Sequence, residues 1–255
     1  MERFNVGLKS IEIFDKLENL RLGYNEIAEL PSNIGDLSML KSLALNSNNI
    51  TSLPDSIGNL SNLTFCSLDT NKLDDLPNSI MNWSKLSTLN LANNQFKTIP
   101  TGLLQLNNLN WLTLSNNLLT FLPDEFSQLI NLIDLQIQAN RLTSLPESFG
   151  QLNKLKHLHI GWNQLTSLPT SFKNLTNLEL LVAISNMLPT GYADTLNNLG
   201  FTNFSFEGHK QENLSIENIP EPMLILKETD LDSIDHMSIL KKVVSIHYLQ
   251  HIISF

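Results

Sequence analysis

His157 and His159 stand two residues apart in the stretch HLHIGWNQL, residues 157 to 165, with Gly161 and Trp162 close behind. Imidazole is the side chain best matched to proton transfer near neutral pH, and it is a common ligand of transition metals. On a strand, an i, i+2 pair points both rings to one side. The pair is then half of a metal site or half of an acid–base apparatus. A metal centre needs a third or fourth ligand. A catalytic base needs a group that orients it and a nucleophile held within its reach. Whether either is supplied depends on what the rest of the chain brings alongside.

Bulk properties narrow the field. The 255 residues include 25 acidic and 16 basic side chains, a formal net charge of −9, and 6 of those 9 charges fall in residues 178 to 255. Such an excess repels a duplex or an anionic membrane surface, so nucleic acid is not expected as a partner. The single cysteine, Cys66, excludes an intramolecular disulfide and suits a reducing compartment. The opening MERFNVGLKSIEIF lacks a basic stretch followed by an apolar run, so no secretory signal is expected. No apolar segment reaches the roughly 18 residues that a membrane span needs. The expected location is the cytoplasm, or outside the cell by a route without such a signal.

The organisation of the chain is set by a repeat of 23 residues. Seven consecutive copies begin at Leu17, Leu40, Leu63, Leu86, Leu109, Leu132 and Leu155, and one of them reads LIDLQIQANRLTSLPESFGQLNK. The shared pattern is L-x-x-L-x-L-x-x-N-x-L-x-x-L-P-x-x-I/F-x-x-L-x-x. An eighth copy from Leu178 keeps Leu181, Asn186 and Leu188 before losing phase, and Phe4, Ile11 and Phe14 fit a preceding half-repeat. L-x-L alternation is a short strand with one buried face. Twenty-three residues cannot bury their own leucines, so the copies must stack, their strands forming a parallel sheet with about 4.7–4.9 Å between neighbours. Proline after the fifth leucine slot suits the first turn of a short helical segment that returns the chain along the outer side. The asparagine column, Asn25 through Asn186 at steps of 23, reads as a ladder of amides satisfying backbone groups where the chain bends inward. Cys66 occupies a leucine slot and is expected to be buried.

This pattern resembles the leucine-rich repeat family, in the Leu-Pro-x-x-Ile variant found in intracellular Ras-group repeat proteins and in bacterial translocated effectors. The resemblance covers about two-thirds of the chain. It implies an α/β solenoid, a curved right-handed superhelix with the parallel sheet on its concave face, whose usual task is protein binding. The expected domains are an N-terminal cap or half-repeat over 1–16, the solenoid over 17–188, and a C-terminal cap over 189–255.

The register places the histidines. Leu158 and Ile160 face the core, so His157 and His159 face outward on the concave side. The same outward column holds Phe65, Trp111 and Asp134; a second holds Arg21 and His159; a third, just past the strands, holds Tyr24 and Trp162. Outward aromatics clustered among polar groups mark an interface. Trp111, Asp134, His157, His159 and Trp162 are therefore expected to contact a partner, with Phe65, Tyr24 and Arg21 as a second contact. For a metal, only Asp134 adds a ligand of the right type. For catalysis, Asp134 can orient His157, but a nucleophile held in place and a pocket that excludes water are lacking; Thr113 and Ser115 are nearby hydroxyls on an open face. No metal, cofactor or catalytic residue is expected. A different consequence is electrostatic: Asp134 should favour protonated His157 and make binding pH-sensitive below neutrality.

Beyond Pro189 the period changes. TGYADTLNNLG reads as a short helix capped by Thr190 and stopped at Gly200, FTNFSF as a strand covering the end of the sheet, and residues 229–255 as an amphipathic helix. On that last segment His247 and His251 are four apart, but HYLQH lacks the glutamate of a zinc-protease motif. The reading from sequence is a non-catalytic, monomeric module that grips a partner protein, in the manner of an effector that occludes an enzyme's active site. Two alternatives stand beside it: a self-associating structural protein, and a hydrolase-like enzyme built on Asp134 and His157.

Overall fold

The computed structural model describes residues 16–198, 200–201 and 204–205. All of them lie in the first of two units into which the chain divides, residues 1–211 and 212–255. The proposed half-repeat slots at Phe4, Ile11 and Phe14, and the proposed terminal helix with His247 and His251, lie outside the described residues.

Each copy begins with a strand of three residues: β1 (Asn19–Arg21), β2 (Ser42–Ala44), β3 (Phe65–Ser67), β4 (Thr88–Asn90), β5 (Trp111–Thr113), β6 (Asp134–Gln136), β7 (His157–His159) and β8 (Leu180–Val182). They pair in sequence order, all parallel, and β9 (Phe204–Ser205) adds a further parallel strand beside β8. The register is 23 residues at every step, so Leu43 lies beside Cys66 and Cys66 beside Leu89. The central residues of β2 to β8 are buried, and the core is a single column of leucines, isoleucines and phenylalanines running through the repeats. Cys66 has no exposed surface, and burial in this apolar setting pushes its thiol pKa up, which keeps it protonated and inert.

The return side differs from expectation in one respect. In the second to seventh copies the segments after the prolines are 3-10 helices of five residues, such as Asp55–Asn59 and Glu147–Gln151, and proline stands just before them rather than in their first turn; the first copy has a three-residue one, Ile34–Asp36. These prolines are extended, as at Pro54 with φ −70° and ψ 149°, and their carbonyls accept the first bond, Ile57 N–H to Pro54 O at 2.9 Å. A 3-10 helix rises about 2.0 Å per residue against 1.5 Å for an α-helix, so it spans the width of the repeat with fewer residues.

Substitutions in the core keep this geometry. Trp83 fills a slot that holds leucine in other copies, and its indole N–H donates to Ile57 O at 2.8 Å, so its one polar atom is satisfied in the interior. Phe126, Phe149 and Phe172 stack with 6.5 Å between ring centroids, and Phe201 leans on the last of them at 5.4 Å. Beyond the repeats, α1 (Tyr192–Asn198) follows Gly191 and precedes Gly200, with φ of +84° and +88°. Gly191, not Thr190, directly precedes this helix, because only glycine takes that left-handed turn without strain.

Another left-handed position recurs in every copy and was not anticipated from the sequence. Tyr24, Ser47, Thr70, Asn93, Asn116, Ala139, Trp162 and Ser185 all have φ between 50° and 60°. This is where the chain leaves the sheet and turns inward. An L-residue in this region costs on the order of 1–2 kcal/mol, most for a β-branched side chain such as Thr70. The turn persists because successive copies bond through it, as in Trp162 N–H to Ile184 O at 2.8 Å. Thr70→Asn is expected to raise stability by roughly 0.5–1 kcal/mol, because Asn tolerates this conformation and Thr does not. The check is a urea midpoint that moves up with an unchanged slope; an unchanged or lower midpoint contradicts the strain assigned to Thr70.

Candidate functional site

Strand alternation and the 23-residue register bring residues distant in sequence into rows across the open face of the sheet. Trp111 on β5 lies beside Asp134 on β6, which lies beside His157 on β7. One row over, Thr113, Gln136 and His159 are neighbours in the same way. Trp162 follows three residues after His159, at the left-handed turn. Trp111, His157, His159 and Trp162 are all part-buried, while Asp134 is 6 % exposed. The structure thus joins Trp111, Asp134, His157 and His159 on consecutive strands. Phe65, part-buried on β3, stands apart from them. Arg21 on β1 and Tyr24 just after it are exposed and four strands from Trp111, Tyr24 at 84 %.

His157 is held between two carboxylates. Its Nδ1 is 3.1 Å from Asp134 Oδ2, and its Nε2 is 3.9 Å from Glu179 Oε2. A carboxylate only accepts, so Nδ1 donates to Asp134. Asp134 Oδ1 in turn accepts from Gln136 Nε2 at 3.1 Å, and Lys156 Nζ lies 2.6 Å from Glu179 Oε1. The hydrogen bond to Asp134 raises the His157 pKa above its ordinary value; partial burial opposes this, the charges of Asp134 and Glu179 support it, and Lys156 opposes it. Lys156 in turn lowers the Glu179 pKa, chiefly through its hydrogen bond.

A raised pKa gives a signed prediction. The protonated ring is favoured in the folded state, so its stabilising effect is complete below about pH 6.5 and is lost as pH rises through the raised folded value. Wild type should therefore exceed Asp134→Asn in urea midpoint by more at pH 6 than at pH 8.5. Equal gaps at the two pH values contradict the pairing.

A second polar network lies on the same face and was not recognised from the sequence. Ser67 Oγ donates to Asp69 Oδ1 at 2.5 Å, Asn90 Nδ2 donates to the same oxygen at 2.9 Å, and Asn90 Oδ1 accepts the N–H of Ala92 at 3.1 Å. Burial pushes the Asp69 carboxyl pKa up, against the bonds from Ser67 and its neighbours. Thr113 and Ser115 share a hydroxyl bond of 3.1 Å, and Gln138 Oε1 is buried without a hydrogen-bond partner among the described residues. The signal was present in the outward column Gly23, Asn46, Asp69, Ala92, Ser115, Gln138, Gly161 and Ile184, which continues the alternation two residues past each strand.

Chemically, this arrangement offers a shallow surface of aromatic, imidazole and carboxylate groups with most polar atoms engaged. His157 has a carboxylate near each ring nitrogen, and the Thr113 and Ser115 hydroxyls bond to one another. Among the described residues, no group of three His, Cys, Asp or Glu side chains is arranged to hold a metal ion, and no helix is long and apolar enough to cross a membrane.

Known proteins resemble this chain in sequence and in fold. A family defined as a leucine-rich repeat region matches residues 2–98 and 101–204. The ectodomain of the Arabidopsis thaliana membrane receptor kinase GASSHO1/SCHENGEN3, solved in complex with Casparian strip integrity factor 2, is 32% identical over 80% of this chain and 26% of its own, with a TM-score of 0.65. The plant peptide hormone receptor RGFR1, solved in complex with RGF2, is 26% identical over 75% of this chain and 33% of its own, with a TM-score of 0.56. A leucine-rich repeat protein of Leptospira interrogans is 29% identical over 74% of this chain and 60% of its own, with a TM-score of 0.50. The chain thus spans less than two-thirds of the length of each. No curated protein sequence matches it significantly.

Proposed function

Because the chain belongs to the leucine-rich repeat family, we propose that it is a non-catalytic module whose open sheet face grips a partner protein. The observation that carries this reading is the row Trp111–Asp134–His157 on three consecutive strands, flanked by His159 and Trp162. Large aromatic groups beside anchored polar ones are the composition of binding hot spots. Two plant receptors of similar fold were solved with a bound partner, which supports the class of activity. Residues 17–188 form the binding solenoid in this reading, with 1–16 and 189–255 as its ends. The protein acts as a monomer and as an effector, in the cytoplasm or after export without a secretory signal. It regulates its partner by covering that protein's active site.

The test is affinity capture with the full chain as bait, from lysates of the source cell and of a candidate host. The control bait carries Trp111→Ala, His157→Ala, His159→Ala and Trp162→Ala together, with folding verified by circular dichroism. A partner retained by wild type and lost by the control supports the site, and inhibition of that partner's activity would support occlusion. A partner retained equally by both baits refutes the assignment to this face.

A further inference from the structure

We propose that the open face takes an extended, cationic segment of the partner protein, one arginine or lysine head seating beside Trp111 on the Asp134 carboxylate and a second meeting Asp69. This rests on the reading that the face is the binding surface, and adds the chemistry of what it binds. Charge on the face is lopsided. Along the outward positions of β1 to β8 and the turns that follow them, the fixed charges are Asp69, Asp134 and Arg21. Arg21 lies on β1, two strands from β3 and five from β6.

Asp69 is steadied by the neutral donors Ser67 and Asn90, while Asp134 accepts from the Gln136 amide and from His157 Nδ1. Among the described residues Asp69 has no cation within ion-pair distance. Its charge is fixed in place without being neutralised, which is the arrangement that attracts a cation from a partner. An independent observation points the same way. Gln138 Oε1, on the row of Asp69 and two residues beyond Gln136, is a buried acceptor with no donor among the described residues. Leaving such an atom unpaired costs about 1–3 kcal/mol, and a donor-rich segment relieves it. Trp111, the strand neighbour of Asp134, supplies the aromatic face over which a guanidinium or ammonium group is stabilised.

The spacing fixes a pattern. Asp69 is three strands from Asp134 and four residues further along the strand direction, a separation on the order of 20 Å. An extended chain covers that in about six residues. Acid should oppose binding, because protonated His157 places a cation on Asp134 before the partner arrives. The charged groups around His157 are Asp134 from β6, Glu179 just ahead of β8, and Lys156 just ahead of β7, with His159 two residues on.

The test uses the full chain, labelled for amide NMR, and a capped nine-residue peptide of serine and glycine with arginines at positions 2 and 8. At pH 7.5 the expected result is saturable shifts on β3 and on β5 to β7. Binding should be at least fivefold weaker at pH 5.5, and fivefold weaker with Asp69→Asn or Asp134→Asn. It should be lost when glutamine replaces both arginines, and His157→Gln should flatten the pH profile. Equal binding of the glutamine peptide, shifts away from these strands, or no shift at millimolar peptide overturns the proposal. If the peptide fails while capture by the four-site control behaves as expected, only the cationic chemistry falls. If the control retains the captured partner, the assignment of the face itself falls.

Discussion

Asn117→Ala is expected to lower the stability of the repeat unit by about 3 kcal/mol or more, among the largest effects of any single polar side chain here. Asn117 Nδ2 reaches three carbonyl oxygens, Leu91 and Leu114 at 3.0 Å and Ser115 at 3.2 Å, and its Oδ1 accepts the N–H of Phe96 at 3.1 Å. The side chain is 5% exposed, so water does not replace these bonds. Alanine strands several backbone groups in the core, and each unpaired group costs about 1–3 kcal/mol. Asn25 is the built-in control. It occupies the same position in the first described copy but is exposed, and among the described residues its amide reaches only Leu22 O and Gly23 O. Asn25→Ala should cost less than about 1 kcal/mol, because water takes over those acceptors. Urea unfolding of both variants, followed by circular dichroism, decides the matter. Equal losses at the two positions would mean that the ladder acts through local turn geometry and not through bonds between repeats.

The second large effect concerns binding. Trp111→Ala is expected to weaken the captured partner at least 30-fold, equivalent to about 2 kcal/mol. Trp111 is part-buried between strand neighbours, so its indole is pre-positioned and little rotamer freedom is lost on contact. Trp162→Ala should have an effect of similar size, its ring being fixed by a left-handed backbone held from the next copy. Tyr24→Ala and Arg21→Ala should each change affinity by no more than about threefold. Tyr24 is 84% exposed, and the ordering of an unpacked side chain offsets what its contact contributes. Calorimetry with the purified partner tests all four. A Tyr24 effect larger than that of Trp111 would move the centre of the interface to the first copies.

Between them, the asparagines and the tryptophans show how far the sequence reaches. The strand positions, the parallel order and the asparagine ladder follow from a 23-residue period, because a unit that cannot bury its own leucines has one way to stack them. Outward placement of Trp111, Asp134, His157 and His159 follows from the same period combined with side-chain alternation. The burial of Cys66 needed no more than its leucine slot.

Other features depend on distances that no period encodes. Proline predicts a helical turn, but the tight width of the repeat makes that turn 3-10 and sets the proline ahead of it. The eight left-handed residues carry no shared residue type, since Tyr24, Thr70, Ala139 and Trp162 have little in common locally. Hydrogen bonds from the next copy impose that conformation, and they exist only once the copies are stacked. Likewise, Glu179 reaches His157, and Asn90 reaches Asp69, only when neighbouring strands set their side chains within a few ångströms. Sequence by itself determined which side chains face outward, because alternation is a property of one strand. Tertiary structure alone decided which of them touch and which charges they hold, because those depend on the packing of one copy against the next.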